Sequence, residues 1–213
     1  LSEDLKDATP ALLGFAIGAY GLSQALLQIP FGMLSDRVGR KRMIYIGLVL
    51  FAAGSLLAAA TDSIYVVIAG RILQGAGAIA SVLMALLSDL TREEERTKAM
   101  ATVGITIGLS FSVSLVLGPL LGAWWGLSGI FYATAALAVV ALVIVNRLVP
   151  TPHQHKTSAD THPAREMLGR VLSDGRLLRL DFGIFALHLV LTALFLVFPS
   201  MLQEQFGLAS RSH

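Results

Sequence analysis

The 213-residue sequence contains no cysteine, which excludes disulfide bonds, thiolate metal sites and cysteine nucleophiles. Charged side chains are also scarce, since they make up 14% of the residues against roughly a quarter in average soluble domains. The sequence has no phosphate-binding Walker loop, so ATP is not expected to drive this chain directly. Its apolar runs also lack the paired carboxylates or histidine-rich cluster that a membrane-embedded enzyme would need. We therefore expect no enzymatic activity, no cofactor and no metal centre.

Apolar residues dominate instead, because hydrophobic types account for 55% of the chain and the mean hydropathy is +0.72. Several runs reach the length of about 20 residues that a membrane-spanning helix needs. The run 99–146 is too long for one crossing and is expected to divide at the turn-like cluster Gly126-Leu127-Ser128-Gly129. A soluble helical bundle is the alternative, but it would have too few charges to cover its surface. The sequence thus predicts an all-α, polytopic membrane protein with six spans, which lie at residues 11–33, 43–60, 64–87, twice within 99–146, and from 182 to about 203.

The basic residues are concentrated in alternate connections between these spans. Thirteen of the sixteen lysines and arginines follow the first, third or fifth span, whereas Lys6 and Arg211 lie on the opposite side and Arg71 lies within a span. By the positive-inside rule the three basic connections are cytoplasmic, which predicts a multi-pass protein of the inner (plasma) membrane. Since the chain would then begin outside the cell, we expect at least one further span before Leu1 and more chain after His213.

The range 149–179 is the one long hydrophilic stretch, and its prolines, serines and threonines are typical of a linker. Apolar residues at helical spacing in 167–172 predict a short amphipathic helix at the cytoplasmic headgroups. A metal cluster is the alternative role for three histidines of this stretch, but neither acid nor cysteine completes a ligand set, and a solvated linker fits better. Those histidines are His153, His155 and His162. The expected organisation is a six-helix half over 1–148, a linker over 149–179 and the start of a second half over 180–213.

The connection after the first span, Gly32-Met33-Leu34-Ser35-Asp36-Arg37-Val38-Gly39-Arg40-Lys41-Arg42, combines one acid, four bases and two glycines. Bases at the start of the second span oppose the helix dipole, which favours anions there, so nearby acids should compensate them. Asp36 lies four residues before Arg40, and Asp89 ends the third span at the same membrane face. We therefore predict an Asp36–Arg40–Asp89 cluster. A plain basic anchor is the alternative, although it would require neither the acid nor the glycines.

Arg71 lies about eight residues into the third span, where an arginine costs about 2.5–3.5 kcal/mol even on lenient insertion scales. Gln74 shares its helix face. Either helix-end carbonyls satisfy the guanidinium group, or the charge biases a proton or substrate site. We expect no acidic partner for Arg71 within the six spans.

Three further polar residues lie within the spans. His188, near the middle of the sixth span, is either a hydrogen-bonded packing residue or a proton carrier, since histidine changes charge near neutral pH. Gln24 and Gln28 lie one turn apart in the first span. Their amides need partners in hydrocarbon, so they either tie helices together or line a polar cavity.

Glycines recur four residues apart in the first and fourth spans, a pattern that favours close helix contact. Gly118-Pro119 should also bend the fourth span, because proline removes a helical hydrogen bond. The repeated pairs are Gly14 with Gly18, Gly104 with Gly108, and Gly118 with Gly122.

Together these motifs resemble the major facilitator superfamily, and most closely its proton-dependent efflux branch. Gly32-x-Leu34-Ser35-Asp36-Arg37-x-Gly39-Arg40-Lys41 is similar to the family's loop 2–3 signature, and Arg71-x-x-Gln74-Gly75 is similar to its helix-4 motif. Gly118-Pro119-x-x-Gly122 resembles the helix-5 antiporter motif, with Ser114 and Ala123 in place of further glycines. The resemblance implies that the spans are helices 2–7 of a 12-helix fold.

The resemblance also implies a function. It suggests a monomeric secondary transporter that couples protons to efflux of a small amphipathic or hydrophobic solute, without binding nucleic acid. A non-transporting receptor or sensor on the same fold, or a facilitator or symporter for a sugar-like solute, is the alternative. The candidate gating residues are Gly32, Asp36, Arg37, Gly39, Arg40, Lys41 and Asp89. The candidate residues of the central cavity and proton coupling are Arg71, Gln74, Gln24, Gln28 and His188.

Overall fold

The computed structural model of the chain describes residues 5–77, 79–150, 169 and 172–206. Over these residues the chain is all-α, as predicted, and contains no strand beyond one isolated bridge between Lys6 and Ser63. It divides into two compact units, Leu1–His155 and Lys156–His213. The first unit contains five α-helices and a short 3₁₀ turn at Glu93–Glu95, and the second contains α6. The helices are α1 (Pro10–Val38), α2 (Arg40–Ala59), α3 (Ile64–Ala76), α4 (Ala80–Leu90), α5 (Arg96–Leu148) and α6 (Gly175–Phe206).

The long helix α5 is broken at Gly126, where φ is 66° and ψ is −166°. Glycine adopts a positive φ with little strain because it lacks a Cβ atom. The segments on either side of this glycine, 96–125 and 127–148, are about 45 Å and 33 Å long at 1.5 Å per residue. Each exceeds the hydrocarbon thickness of about 30 Å. The predicted division of this run is therefore confirmed, and each segment of α5 is long enough for one crossing.

The third span differs from its prediction. We expected one uninterrupted helix over 64–87, but the structure has α3 and α4 as separate helices, with Gly77 and Ile79 between them. Glycine is a poor helix former, and here the backbone of α2 lies against Gly77. By length and hydropathy Ile64–Leu90 still corresponds to a single crossing.

Close helix contact occurs at glycines other than those predicted. A Cβ atom added at Gly54 would lie 2.6 Å from the carbonyl oxygen of Gly70, and one at Gly77 would lie 2.5 Å from that of Gly47. These glycines are seven residues apart on each helix, so they form two matched pairs along antiparallel α2 and α3. Among the described residues, five of the six glycines of the predicted four-residue pairs have no such neighbour within 4 Å, namely Gly14, Gly18, Gly104, Gly108 and Gly118. At the sixth, Gly122, the nearest atom is Cδ1 of Ile130, at 3.5 Å.

The first unit has an apolar cluster towards each end of its helices. One contains buried residues from α1, α2, α3 and the second segment of α5, among them Ile64 and Phe131. The other lies beneath the α1–α2 turn and includes Met43, Val82 and Val145. The first segment of α5, residues 96–125, contributes no buried residue. Its apolar side chains therefore face outward in this unit.

Candidate functional site

The guanidinium group of Arg40 is the centre of a polar cluster that joins α1, α2 and α4. Its Nη2 atom lies 2.5 Å from Oδ1 of Asp36, and its Nε atom lies 3.1 Å from Oδ2 of Asp89. Nη1 donates to Oγ of Ser35 at 2.5 Å and to the carbonyl oxygen of Gly32 at 3.4 Å. The structure thus brings together the three residues that charge compensation had suggested. Only 17% of the Arg40 side chain is exposed, against 57% for Asp36 and 39% for Asp89.

Two glycines of the motif give the α1–α2 turn its shape. Gly39 has φ 103° and ends α1, and its N–H group donates to the carbonyl oxygen of Ser35 at 3.0 Å. A residue with a Cβ atom rarely adopts this φ. At Gly32 an added Cβ would lie 3.2 Å from Oγ of Ser81, so this glycine allows α4 to approach α1. Both positions therefore favour glycine for steric reasons.

The other bases of the motif do not join the acids. Lys41 points to the end of α5, where Nζ donates to the carbonyl oxygen of Val149 at 2.8 Å. Arg37 and Arg42 are exposed, and neither forms an ion pair with any described residue. The motif therefore divides its four bases among three environments.

A second polar cluster surrounds Arg71 on α3. Nη1 of Arg71 donates to Oε1 of Gln74 at 3.1 Å, and Nε donates to the carbonyl oxygen of Ala16 on α1 at 3.4 Å. The guanidinium carbon lies 4.6 Å from the ring centroid of Tyr20, a cation–π geometry that stabilises a charge away from water. Gln74, which is 2% exposed, donates from Nε2 to Oγ of Ser55 at 2.7 Å. No carboxylate pairs with Arg71 among the described side chains.

A cavity of about 330 Å³ adjoins this second cluster. Its polar lining comes from Tyr20, Gln24, Gln74 and Thr134, and its apolar lining includes Phe51 and other residues of α2, α4 and the second segment of α5. Gln24 thus lines a cavity, one of its two expected roles. Tyr20 and Gln74 belong both to the cavity lining and to the Arg71 cluster. The guanidinium group of Arg71 therefore contacts two side chains that line the cavity.

The remaining candidates are placed less centrally. Oε1 of Gln28 is buried without a hydrogen-bond partner among the described residues. Nδ1 of His188 lies 2.9 Å from the carbonyl oxygen of Ile184, one turn earlier on α6, and the side chain is exposed within its own unit. Pro119 lies inside α5, and the bend expected at Gly118-Pro119 stays a prediction, while the non-helical backbone angles of α5 occur at Gly126. The three histidines of the 149–179 stretch lie outside the described residues. Most of the range 167–172, where an amphipathic helix is expected, also lies outside them.

Sequence reasoning missed Ser35, Tyr20 and Ser55. Ser35 is fully buried and bonds Arg40, and its place inside the charged motif could have suggested this contact. Tyr20 and Ser55 lie on helices other than that of Arg71, and their roles depend on which helix faces pack together. The spacing within one span carries no signal for such partners.

The fold and the two polar clusters define a polytopic helical membrane protein with charge at one helix end and a guanidinium group within a span. A model of the Major Facilitator Superfamily matches residues 1–212, and the chain belongs to that family of transporters. It is 48% identical over 94% of its length to the inner membrane transport protein YajR of Escherichia coli, of which it covers 44%. It is 39% identical over 90% of its length to the uncharacterized transporter BU466 of Buchnera aphidicola, covering 50% of that protein.

A third relative is the triacylglyceride transporter of Mycobacteroides abscessus, which is 35% identical over 72% of this chain, with 29% of the relative covered. The chain spans about half the length, or less, of these curated relatives. The family and the membrane-capable helices make it a multi-pass protein of the inner membrane.

Proposed function

We propose that the protein is a secondary transporter that exports a small amphipathic or hydrophobic solute in exchange for protons. Its two halves would alternately expose a central site to either side of the membrane, and the complete protein would work as a monomer. The membrane potential supplies about 2.3 kcal/mol for each charge that crosses 100 mV. Secondary transport agrees with the family and with relatives that are themselves named transporters.

The Arg40 cluster is the observation that carries this proposal. One guanidinium group holds carboxylates from α1 and α4, so three helices meet through ion pairs near solvent. Exposed pairs contribute about 0.2–1 kcal/mol each, which is small enough for thermal motion to break and remake them. A contact that forms in one state of the transport cycle and opens in the other needs this property. Asp36, Arg40 and Asp89 would therefore bias the equilibrium between the two states.

The centre of the first unit supports the coupling and solute parts of the proposal. Arg71 would disfavour protonation of an acid contributed by the part of the complete protein that this chain does not cover, and would thereby link the solute site to the proton gradient. The cavity next to it has mostly apolar walls and a few amide and hydroxyl groups, which suits a solute with one polar group on an apolar body. A relative named for triacylglyceride transport is in keeping with an apolar solute.

The direct test is Asp36→Asn in the complete protein, reconstituted into vesicles with an imposed proton gradient. We expect the initial rate of solute movement to fall by about tenfold or more, because the substitution removes one charge partner of Arg40, and a tenfold change needs only 1.4 kcal/mol. Membrane insertion should be normal. Asp62→Asn, an exposed acid at the opposite helix end, is the matched control. A wild-type rate in Asp36→Asn would remove the gating role.

Arg71→Ala tests the coupling. It should alter the pH dependence of transport, since it removes the charge beside the cavity, while Arg42→Met, an exposed base, should leave that dependence unchanged. The measurement is the initial rate against pH in vesicles with a fixed membrane potential. An unchanged profile in Arg71→Ala would exclude this residue from the coupling.

A facilitator is the second candidate, and one observation favours it. Within the described residues no carboxylate lines the cavity, and a facilitator needs no proton-binding group there. Solute movement that persists down its own gradient after a protonophore collapses the proton gradient would identify a facilitator. Solute binding without any net movement would identify the receptor or sensor class instead.

A further inference from the structure

Lys41 makes its contacts in a direction different from that of Arg40, although the two residues are adjacent. Its Nζ atom donates to the carbonyl oxygen of Val149 at 2.8 Å and lies 3.5 Å from that of Asn146. One turn later on α2, the hydroxyl group of Tyr45 lies 3.0 Å from Oδ1 of Asn146. Two side chains of α2 therefore contact the last turn of α5, more than 100 residues further along the chain.

The last carbonyl groups of a helix have no partner within it, and they carry the negative end of the helix dipole. Lysine side chains near such a terminus satisfy these oxygens and interact favourably with the dipole. In α5 the helix ends at Leu148 and its capping residue is Val149. The last turn of α5 has one basic residue of its own, Arg147, and Lys41 adds from α2 a second cation that bonds the carbonyl oxygen of Val149.

The contact also resolves the charge conflict at the start of α2. Three consecutive bases begin this helix, where the dipole disfavours cations. Arg40 is compensated by two carboxylates, and Lys41 is compensated by the carbonyl end of α5. Arg42 is exposed to solvent. Each base of this run therefore has a different environment, and only Lys41 reaches α5.

We propose that Lys41 is a positioning residue that caps the carboxyl end of α5 and fixes it to the α1–α2 turn. Tyr45 adds a second bond to the same turn of α5, and the pair lies over the apolar cluster that includes Val145 and Met43. Movement of the α1–α2 turn would then be carried directly to the point where the chain leaves α5. This mechanical role in transport rests on the proposed function, whereas the capping contact does not.

The contact is tested by hydrogen–deuterium exchange of the complete protein in lipid nanodiscs. In Lys41→Met we expect the amide groups of the last turn of α5 to exchange about threefold to tenfold faster, because the turn loses a charged cap. Exchange in the glycine-paired part of α2 and α3 should not change. Lys41→Arg should restore most of the protection, because it keeps the charge and can donate to the same oxygens.

Arg42→Met is the matched control, since it removes one charge from the same turn without contacting α5. The proposal is overturned if Lys41→Met exchanges like the wild type, or if Arg42→Met accelerates the same turn equally. Lys41→Gln replaces Lys41→Met where the latter does not reach the membrane, and the same expectation applies to it. The transport rate of Lys41→Met is measured separately. Faster exchange in the last turn of α5 together with a normal transport rate would support the cap and refute the mechanical role. This outcome does not depend on the result for Asp36→Asn.

Discussion

The two ends of the helices in the first unit each have a buried apolar cluster, but they differ in the polar contacts that accompany it. At the charged end, which comprises the α1–α2 turn, Asp89 and the last turn of α5, the contacts are made by charged side chains centred on Arg40 and Lys41. At the apolar end, which comprises residues 5–9 and the turn between α2 and α3, Leu5 is 6% exposed and Ile64 is fully buried. There the N–H group of Lys6 donates to the carbonyl oxygen of Asp62 at 2.8 Å.

Magnitudes explain what this difference means for a transporter. Burying a large aliphatic side chain contributes about 1.5–3 kcal/mol and does not depend on charge. Exposed ion pairs contribute about 0.2–1 kcal/mol each and weaken in salt. The ion pairs of the charged end can therefore break at lower cost than the apolar contacts that bury Leu5 and Ile64, although the charged end also lies over the apolar cluster that includes Met43 and Val82. Four experiments on these two ends would break or sharpen the contrast.

The largest effect is expected at the apolar end, from Ile64→Ala. Removing a fully buried isoleucine side chain should lower the stability by about 2–5 kcal/mol, and the loss should be the same at low and high salt. The measurement is the apparent midpoint of thermal unfolding in detergent. Tyr65→Ala, at a neighbouring residue that is 62% exposed, is the control. An equal decrease in both variants would show that burial does not hold this end.

A smaller, salt-dependent effect is expected at the charged end, from Arg40→Met. Two ion pairs are lost whose carboxylates, on Asp36 and Asp89, are exposed to solvent, so the stability should fall by about 1 kcal/mol at low salt. The difference from wild type should nearly vanish at about 1 M salt, where the Debye length is about 3 Å. Unfolding midpoints at both salt concentrations test this, with Arg42→Met as the control. A loss that persists at high salt would mean that Arg40 acts mainly through its bonds to Ser35 and Gly32.

The sequence was informative where a single local rule decides the structure. The division of α5 at Gly126 follows from span length, and the Asp36–Arg40–Asp89 contacts follow from the need to compensate bases at a helix start. Their roles in gating stay predictions. The position of α6 was less accurate, because its helix begins at Gly175, where the side chain of Asp174 accepts from the N–H group of Arg176.

Features that depend on how helix faces pack were beyond the sequence. The pairing of Gly54 with Gly70 has a seven-residue period, and the expectation of a four-residue period led to the wrong glycines. Lys41 belongs to the predicted gating set, and that role stays a prediction, but the sequence did not indicate its partner Val149, which lies 108 residues further along. Tyr20 likewise reaches Arg71 only because α1 lies against α3. Such partners follow from tertiary packing, which no spacing within one helix specifies.

The smallest effects are expected from the charged side chains at the apolar end. Lys6→Ala and Asp62→Asn should each change the unfolding midpoint by less than the equivalent of about 0.5 kcal/mol, as most exposed substitutions do. The reason is that both residues meet through backbone atoms, the N–H group of one and the carbonyl oxygen of the other, which these substitutions leave in place. A marked loss in either variant, and above all one that disappears in salt, would mean that this end is also held by charge. The contrast would then fail, and with it the reason for assigning the moving contacts to the end that contains Arg40.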